Sequence, residues 1–113
     1  MIKRIYNDYI NDILMSINEI IEFTKGMNFE QLKADKKTLN AIIRSIEVIG
    51  EATKNIPTLI RKRHPSIPWK KMAGMRDKLI HEYFGVDIEI LWRVIQEDIP
   101  SIKPVIKQML EEL

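Results

Sequence analysis

The spacing of the isoleucines constrains this chain more than any other feature. Ile2, Ile5, Tyr6, Tyr9, Ile13, Ile17, Ile20 and Ile21 recur three and four residues apart, the period that lays side chains along one stripe of an α-helix. A first helix is therefore predicted to reach Phe23. Gly26 and Asn28 interrupt the pattern, and the polar stretch through Lys36 and Lys37 reads as a connection with room for one short turn at residues 29–32. A second stripe, Leu39, Ile42, Ile43, Ile46, Ile49, Gly50 and Thr53, defines a helix that Pro57 must end or redirect. Gly50 lies on the buried side of that stripe. A mid-helix glycine costs roughly 1 kcal/mol relative to alanine, so its place there points to close approach of another helix, with simple tolerance as the alternative.

The second half follows the same rule with more punctuation. Between Pro57 and Pro68 the chain is short and basic, enough for one helical turn and a loop. Pro68 and Trp69 open a third helical segment, since proline suits a helix's first turn. Gly74 is expected to break that segment, and Gly85 is a natural residue for its C-terminal end. Asp87 can cap the next helix, whose stripe is Ile88, Leu91, Trp92, Ile95, Ile99, Ile102, Ile106, Met109 and Leu113. Pro100 and Pro104 predict a kink or restart within it. With no two-residue alternation and no repeat, the expectation is an all-α fold. It is an antiparallel bundle of four main helices with short connecting turns, one domain over residues 1–113.

Composition removes several function classes. There is no cysteine, hence no disulfide framework, thiolate metal site or cysteine nucleophile. Two histidines without a His-x3-His or Glu-x-x-His spacing make a dedicated metal site or other cofactor unexpected. No apolar run has the length of a membrane span, and no apolar block resembling a signal peptide follows Met1. The chain is read as a soluble, cytoplasmic protein with no membrane partner.

The charge is unevenly placed. The chain as a whole is +2, but residues 57–81 hold Arg61, Lys62, Arg63, Lys70, Lys71, Arg76 and Lys78 against the single acid Asp77. A local basic field on a nearly neutral chain favours a polyanion. Arg61, Lys62, Arg63, Lys70, Lys71 and Lys78 are therefore candidate RNA contacts, although a solvated cationic face gives the same count.

Within this window the run Arg76-Asp77-Lys78-Leu79-Ile80-His81-Glu82-Tyr83 gathers a fixed cation, an imidazole that can carry a proton near neutral pH, and a phenol. These are parts sufficient to cleave RNA by attack of its own 2′-hydroxyl on the adjacent phosphate. A base removes the proton, and an arginine stabilises the charge growing on the phosphoryl oxygens. A histidine near a helix end is equally compatible with a hydrogen-bonding or capping role, Tyr83 with packing and Arg76 with a surface ion pair. At about 100° per residue, Arg76 and Tyr83 share a helix face while His81 lies about 140° away. One straight helix does not aim Arg76 and His81 at one phosphate. Either the helix distorts before Gly85, or a two-fold dimer brings two copies together into a composite cleft; the dimer is the preferred expectation.

The run of residues 45–52, Ser-Ile-Glu-Val-Ile-Gly-Glu-Ala, and that of residues 67–87, with its Ile-Pro-Trp, Arg-Asp-x3-His-x-Tyr and Tyr-Phe-Gly segments, closely resemble the HepT family of HEPN proteins. The resemblance covers nearly the whole chain. It implies a helical-bundle endoribonuclease acting as a homodimer, the toxin of a type VII toxin–antitoxin pair whose antitoxin is a nucleotidyltransferase of the MntA type. It further implies Arg76 and His81 as the catalytic pair, Asp77 as the polar neighbour that supports the site, and Tyr83 as the residue that receives AMP from the antitoxin. Adenylation would place a bulky phosphodiester where a substrate phosphate docks. Fold membership does not fix activity. The alternative is a non-catalytic subunit that presents nucleotide or substrate to a minimal nucleotidyltransferase, with Arg76 binding phosphate and His81 structural.

Overall fold

The computed structural model describes residues 2–79 and 85–112, with side chains from Tyr6 onward. Helix α1 runs Ile2–Thr24, α2 Phe29–Ala34, α3 Lys36–Lys54, α4 Thr58–Arg63, α5 Trp69–Leu79, α6 Ile88–Arg93 and α7 Ile99–Glu111, with a π-helical turn Val94–Asp98 joining the last two without a break. Four long helical units result: α1, α3, α5 and the α6–π–α7 run. The one-turn helices α2 and α4 lie in the connections. The fold is the all-α bundle that the periodicity predicts.

Each boundary has a local cause. The Asn28 side-chain oxygen accepts a hydrogen bond from the Gln31 N–H while the Gln31 side-chain oxygen accepts one from the Asn28 N–H, a reciprocal capping box that starts α2 where only a short turn was expected. The Asp35 carboxylate accepts from the Thr38 N–H at 3.0 Å and from its hydroxyl at 2.7 Å, which opens α3. Pro57 stands at the N-terminus of α4. The Asp87 carboxylate accepts from the Ile90 N–H at 3.1 Å, the cap anticipated for α6. Gly85 has φ +83°, a conformation that glycine adopts without the steric cost other residues incur; the end of the third segment lies outside the described residues.

The core is a continuous mass of branched aliphatic side chains. Ile10, Ile13, Ile17 and Ile20 of α1 face Ile42, Ile46 and Ile49 of α3, all without solvent exposure. Leu91, Val94, Ile95, Ile99, Ile102, Ile106 and Met109 close the other side. Helix α1 packs on α3 and α7, α3 on α5, and α5 on α6, so the long units form a ring around these side chains. Two buried hydroxyls are satisfied within their own helices: Thr24 donates to the Ile20 carbonyl at 2.8 Å and Thr53 to that of Ile49 at 2.7 Å, as a helix interior requires. Ser45 donates to the Glu19 carboxylate at 3.1 Å and so ties α3 to α1.

Two expectations are corrected. Gly74 does not break the third segment. Trp69, Met72, Met75 and Leu79 form one buried stripe on either side of it, and their burial outweighs one residue's poor helix propensity. The restart expected at Pro100 lies upstream of that residue, as the π turn in which the Ile99 N–H bonds to the Val94 carbonyl, five residues back. Pro100 has no N–H with which to close the next rung, so the ladder opens just before it. Pro104 then sits inside α7 without ending it.

Candidate active site between α3 and α5

Helices α3 and α5 come into contact at Gly50, where a Cβ would stand 3.4 Å from the Ala73 carbonyl oxygen and 3.8 Å from that of Met72, room for a methyl group and little more. The close contact expected of this glycine is realised against α5. Beside it the two helices enclose a recess of about 190 Å³, lined from α3 by Glu47, Gly50, Glu51 and Lys54 and from α5 by Ala73, Arg76 and Asp77.

Arg76 reaches over this recess. Its Nε lies 3.5 Å from a Glu47 carboxylate oxygen, and another guanidinium nitrogen lies 3.9 Å from Asp77. The Arg76 side chain is 49% exposed, so the guanidinium is steered by two acids yet remains open to solvent and to an incoming anion. Asp77 thus stands beside Arg76 as its polar neighbour. His81 and Tyr83 lie outside the described residues. The chain on either side of their segment is joined by a hydrogen bond from the Asp87 N–H to the Leu79 carbonyl at 2.8 Å.

The basic window is not one continuous patch. Arg61 turns its Nε to the Ile56 carbonyl at 3.1 Å, closing the start of α4. Lys71 pairs with Asp98 at 2.7 Å, bridging α5 to the π turn. Arg63 lines a recess against the C-terminal part of α7, while Lys62 is exposed on α4. Lys70 and Lys78 line a separate groove on α5. Trp69 belongs to the core: its indole N–H donates to the carbonyls of Arg61 and His64, at 3.1 and 3.0 Å, and locks the α4 end against α5. Trp92 meets Phe29 edge to face at a centroid distance of 6.1 Å.

Sequence reasoning missed the α3 side of the recess. Glu47, Gly50, Glu51 and Lys54 are spaced three, four and seven residues from the first, so they share one helix face. That polar stripe adjoining a buried glycine was the available signal.

Comparison with known proteins bears on this arrangement. The family model described as "Ribonuclease HepT-like" matches residues 13–109. The chain belongs to the HepT-like ribonuclease family. Among its relatives, the protein named "Probable ribonuclease HepT" from Thermococcus cleftensis is 55% identical over 101 residues, 89% of this chain and 92% of the relative. "Putative RNase MJ0125" from Methanocaldococcus jannaschii is 46% identical over 113 residues, all of this chain and 97% of the relative. In the same organism a protein named "Gamma-glutamylcyclotransferase and putative RNase MJ0434" is 47% identical over 105 residues, 93% of this chain but 47% of the longer relative. No solved structure matches. In this HepT-like chain the two sequence runs that carry the family resemblance meet in space, since residues 45–52 hold Glu47, Gly50 and Glu51 and residues 67–87 hold Ala73, Arg76 and Asp77. No helix among the described residues is long and apolar enough to cross a membrane.

Proposed function

We propose that this chain, as one domain over residues 1–113, is a metal-independent endoribonuclease in which Arg76 and His81 act on the same phosphodiester. The His81 imidazole removes the proton from a ribose 2′-hydroxyl, the 2′-oxygen bonds to phosphorus, and the bond to the 5′-oxygen breaks as that oxygen takes up a proton. Arg76 stabilises the charge on the phosphoryl oxygens. Products end in a 2′,3′-cyclic phosphate and a 5′-hydroxyl. The observation that carries this reading is the half-exposed Arg76 guanidinium, held at the recess where the two family-characteristic runs meet, in a chain of the HepT-like ribonuclease family.

The angular offset between Arg76 and His81 on a helix favours a homodimeric cleft. The family resemblance supports a toxin role in the cytoplasm, with an MntA-type nucleotidyltransferase as antitoxin that transfers AMP from ATP to the Tyr83 hydroxyl and releases pyrophosphate. Arg61, Lys62, Arg63, Lys70, Lys71 and Lys78 supply the field that gathers RNA, with Arg61 and Lys71 contributing charge more than contacts because each already holds an intramolecular partner.

The test is product chemistry. Purified protein incubated with RNA in excess EDTA should leave 2′,3′-cyclic phosphate ends, and folded His81→Ala should leave none. Cleavage that stops in EDTA and returns with a divalent cation would refute the mechanism. Mass spectrometry after incubation with the nucleotidyltransferase and ATP should find AMP on Tyr83; equal labelling of Tyr83→Phe would refute that assignment.

A further inference from the structure

Helix α5 holds a glycine that the described fold does not need. Gly50 faces the Ala73 carbonyl at contact distance, but at Gly74 a Cβ would meet no described atom within 4 Å. The helix therefore carries the conformational cost of glycine at mid-length with no packing gain from the described residues. The open position lies in a groove lined by Ile67, Pro68, Trp69, Lys70, Lys71 and Lys78. Lys70, Gly74 and Lys78 are four residues apart, so they form one stripe, with the two lysines about 12 Å from each other along the axis. Lys71 is occupied by Asp98. Lys70 and Lys78 are exposed and form no ion pair among the described residues.

We propose that this groove seats the sugar–phosphate backbone of single-stranded RNA, with Lys70 and Lys78 on separate phosphates and Gly74 as the gap that lets the strand lie against the helix. The inference rests on the ribonuclease reading and adds a binding subsite to it. Charge selects the occupant. Two copies of this chain meeting symmetrically at Gly74 would set Lys70 and Lys78 against their own counterparts, whereas a polyanion neutralises both. Pro68, the half-buried apolar residue of the lining, suits contact with ribose, as expected where a strand is held without sequence reading. Gly74 and Arg76 are about 200° apart around α5. The groove is thus on the opposite flank from the Arg76 recess, and a strand held in it crosses the outer face of α5 to reach the guanidinium.

The test uses the full-length protein and a short fluorescent 2′-O-methyl oligoribonucleotide, which lacks the attacking hydroxyl and cannot be cut by the proposed chemistry. The Lys70→Ala/Lys78→Ala double variant should bind at least tenfold more weakly, with the dependence of log affinity on log salt flattened by about 1.4, the value for two lost single-strand phosphate contacts. Gly74→Leu should also bind more weakly while its melting temperature is unchanged or raised, because the position is open. With cleavable RNA both variants should show a raised KM. Wild-type RNA cleavage with wild-type binding by both variants overturns the groove and leaves the ribonuclease reading standing. A Gly74→Leu variant that changes oligomeric state in sedimentation and leaves RNA affinity intact assigns the groove to a second copy and also overturns the proposal. Wild-type protein that neither binds nor cuts RNA overturns both readings. Binding that depends on the groove in a protein that does not cut supports the groove and refutes only catalysis.

Discussion

Gly50 is the point where the packing account can be tested most sharply, because the structure predicts opposite outcomes for two substitutions at one position. A methyl group at residue 50 would stand 3.4 Å from the Ala73 carbonyl oxygen and 3.8 Å from that of Met72. These are ordinary van der Waals distances, so Gly50→Ala fits without moving α5. It also gains the helix propensity that glycine lacks, up to about 1 kcal/mol. The expected result is a variant of equal or greater stability, with a melting temperature raised by up to about 4 °C for a chain of this size. Gly50→Leu has no such room, since its further carbons must enter the backbone of α5. Overpacking of this kind costs about 1–3 kcal/mol. It should also separate Arg76 from Glu47, now 3.5 Å apart, and disturb the recess. Urea titration of both variants measures the difference directly. A Gly50→Ala variant destabilised by more than about 1 kcal/mol, beyond the propensity gain it should show, would mean that the helices are closer than described. A Gly50→Leu variant as stable as wild type would mean that α5 is not seated on Gly50 at all.

Other expectations follow from single contacts. Trp69→Phe keeps the buried ring but removes the N–H bonded to the Arg61 and His64 carbonyls, so stability should fall by about 1–3 kcal/mol in urea titration. Glu47→Gln breaks a half-exposed ion pair with Arg76 and should change stability by less than about 1 kcal/mol. It also removes a negative charge from a recess shared with Glu51 and Asp77, so RNA affinity should rise. Slower cleavage with unchanged affinity would instead make Glu47 a positioning residue. The Thr38 hydroxyl, and then its N–H, hold the Asp35 carboxyl below the usual carboxylate range. A depressed folded-state value means that this cap stabilises α3 above the ordinary carboxylate range and is lost as pH falls through the lowered value. Asp35→Asn should therefore flatten the acid limb of a melting-temperature profile, and an unchanged limb would refute the assignment.

Much of this fold was legible in the sequence because helix-forming stripes are local. The second stripe placed Leu39, Ile42, Ile46 and Ile49 in the core, where they are found. The first stripe was less well resolved. Ile10 is fully buried and Ile21 is 36% exposed, the reverse of the expectation. Isoleucine occurs on more than one face of α1, and only contact with α3 and α7 selects which face is covered. Gly74 was misread for a related reason. A glycine's breaker signal is a local preference of about 1 kcal/mol, and the burial of Met72, Met75 and Leu79 exceeds it.

The candidate site was legible on one side only. Arg76 and Asp77 stood out because they lie in a compact run. Glu47 meets Arg76 across two helices, and Lys71 meets Asp98 across 27 residues. Such pairs exist only after folding. They divide what reads in one dimension as a single basic window into separate places: Arg76 over an acidic recess, Arg63 against α7, and Lys70 with Lys78 on the far flank of α5.

The central claim is that Arg76 and His81 together cut RNA, and single-turnover cleavage tests it most directly. Wild type, Arg76→Ala and His81→Ala should be purified without any nucleotidyltransferase and compared at saturating RNA, with matched melting curves to show that all are folded. Arg76 is half exposed and its removal leaves the core intact, so its loss should slow cleavage about 100- to 1000-fold without lowering stability by more than about 1 kcal/mol. His81→Ala should slow it by about 100-fold or more. Folded variants that cleave at the wild-type rate would contradict the account.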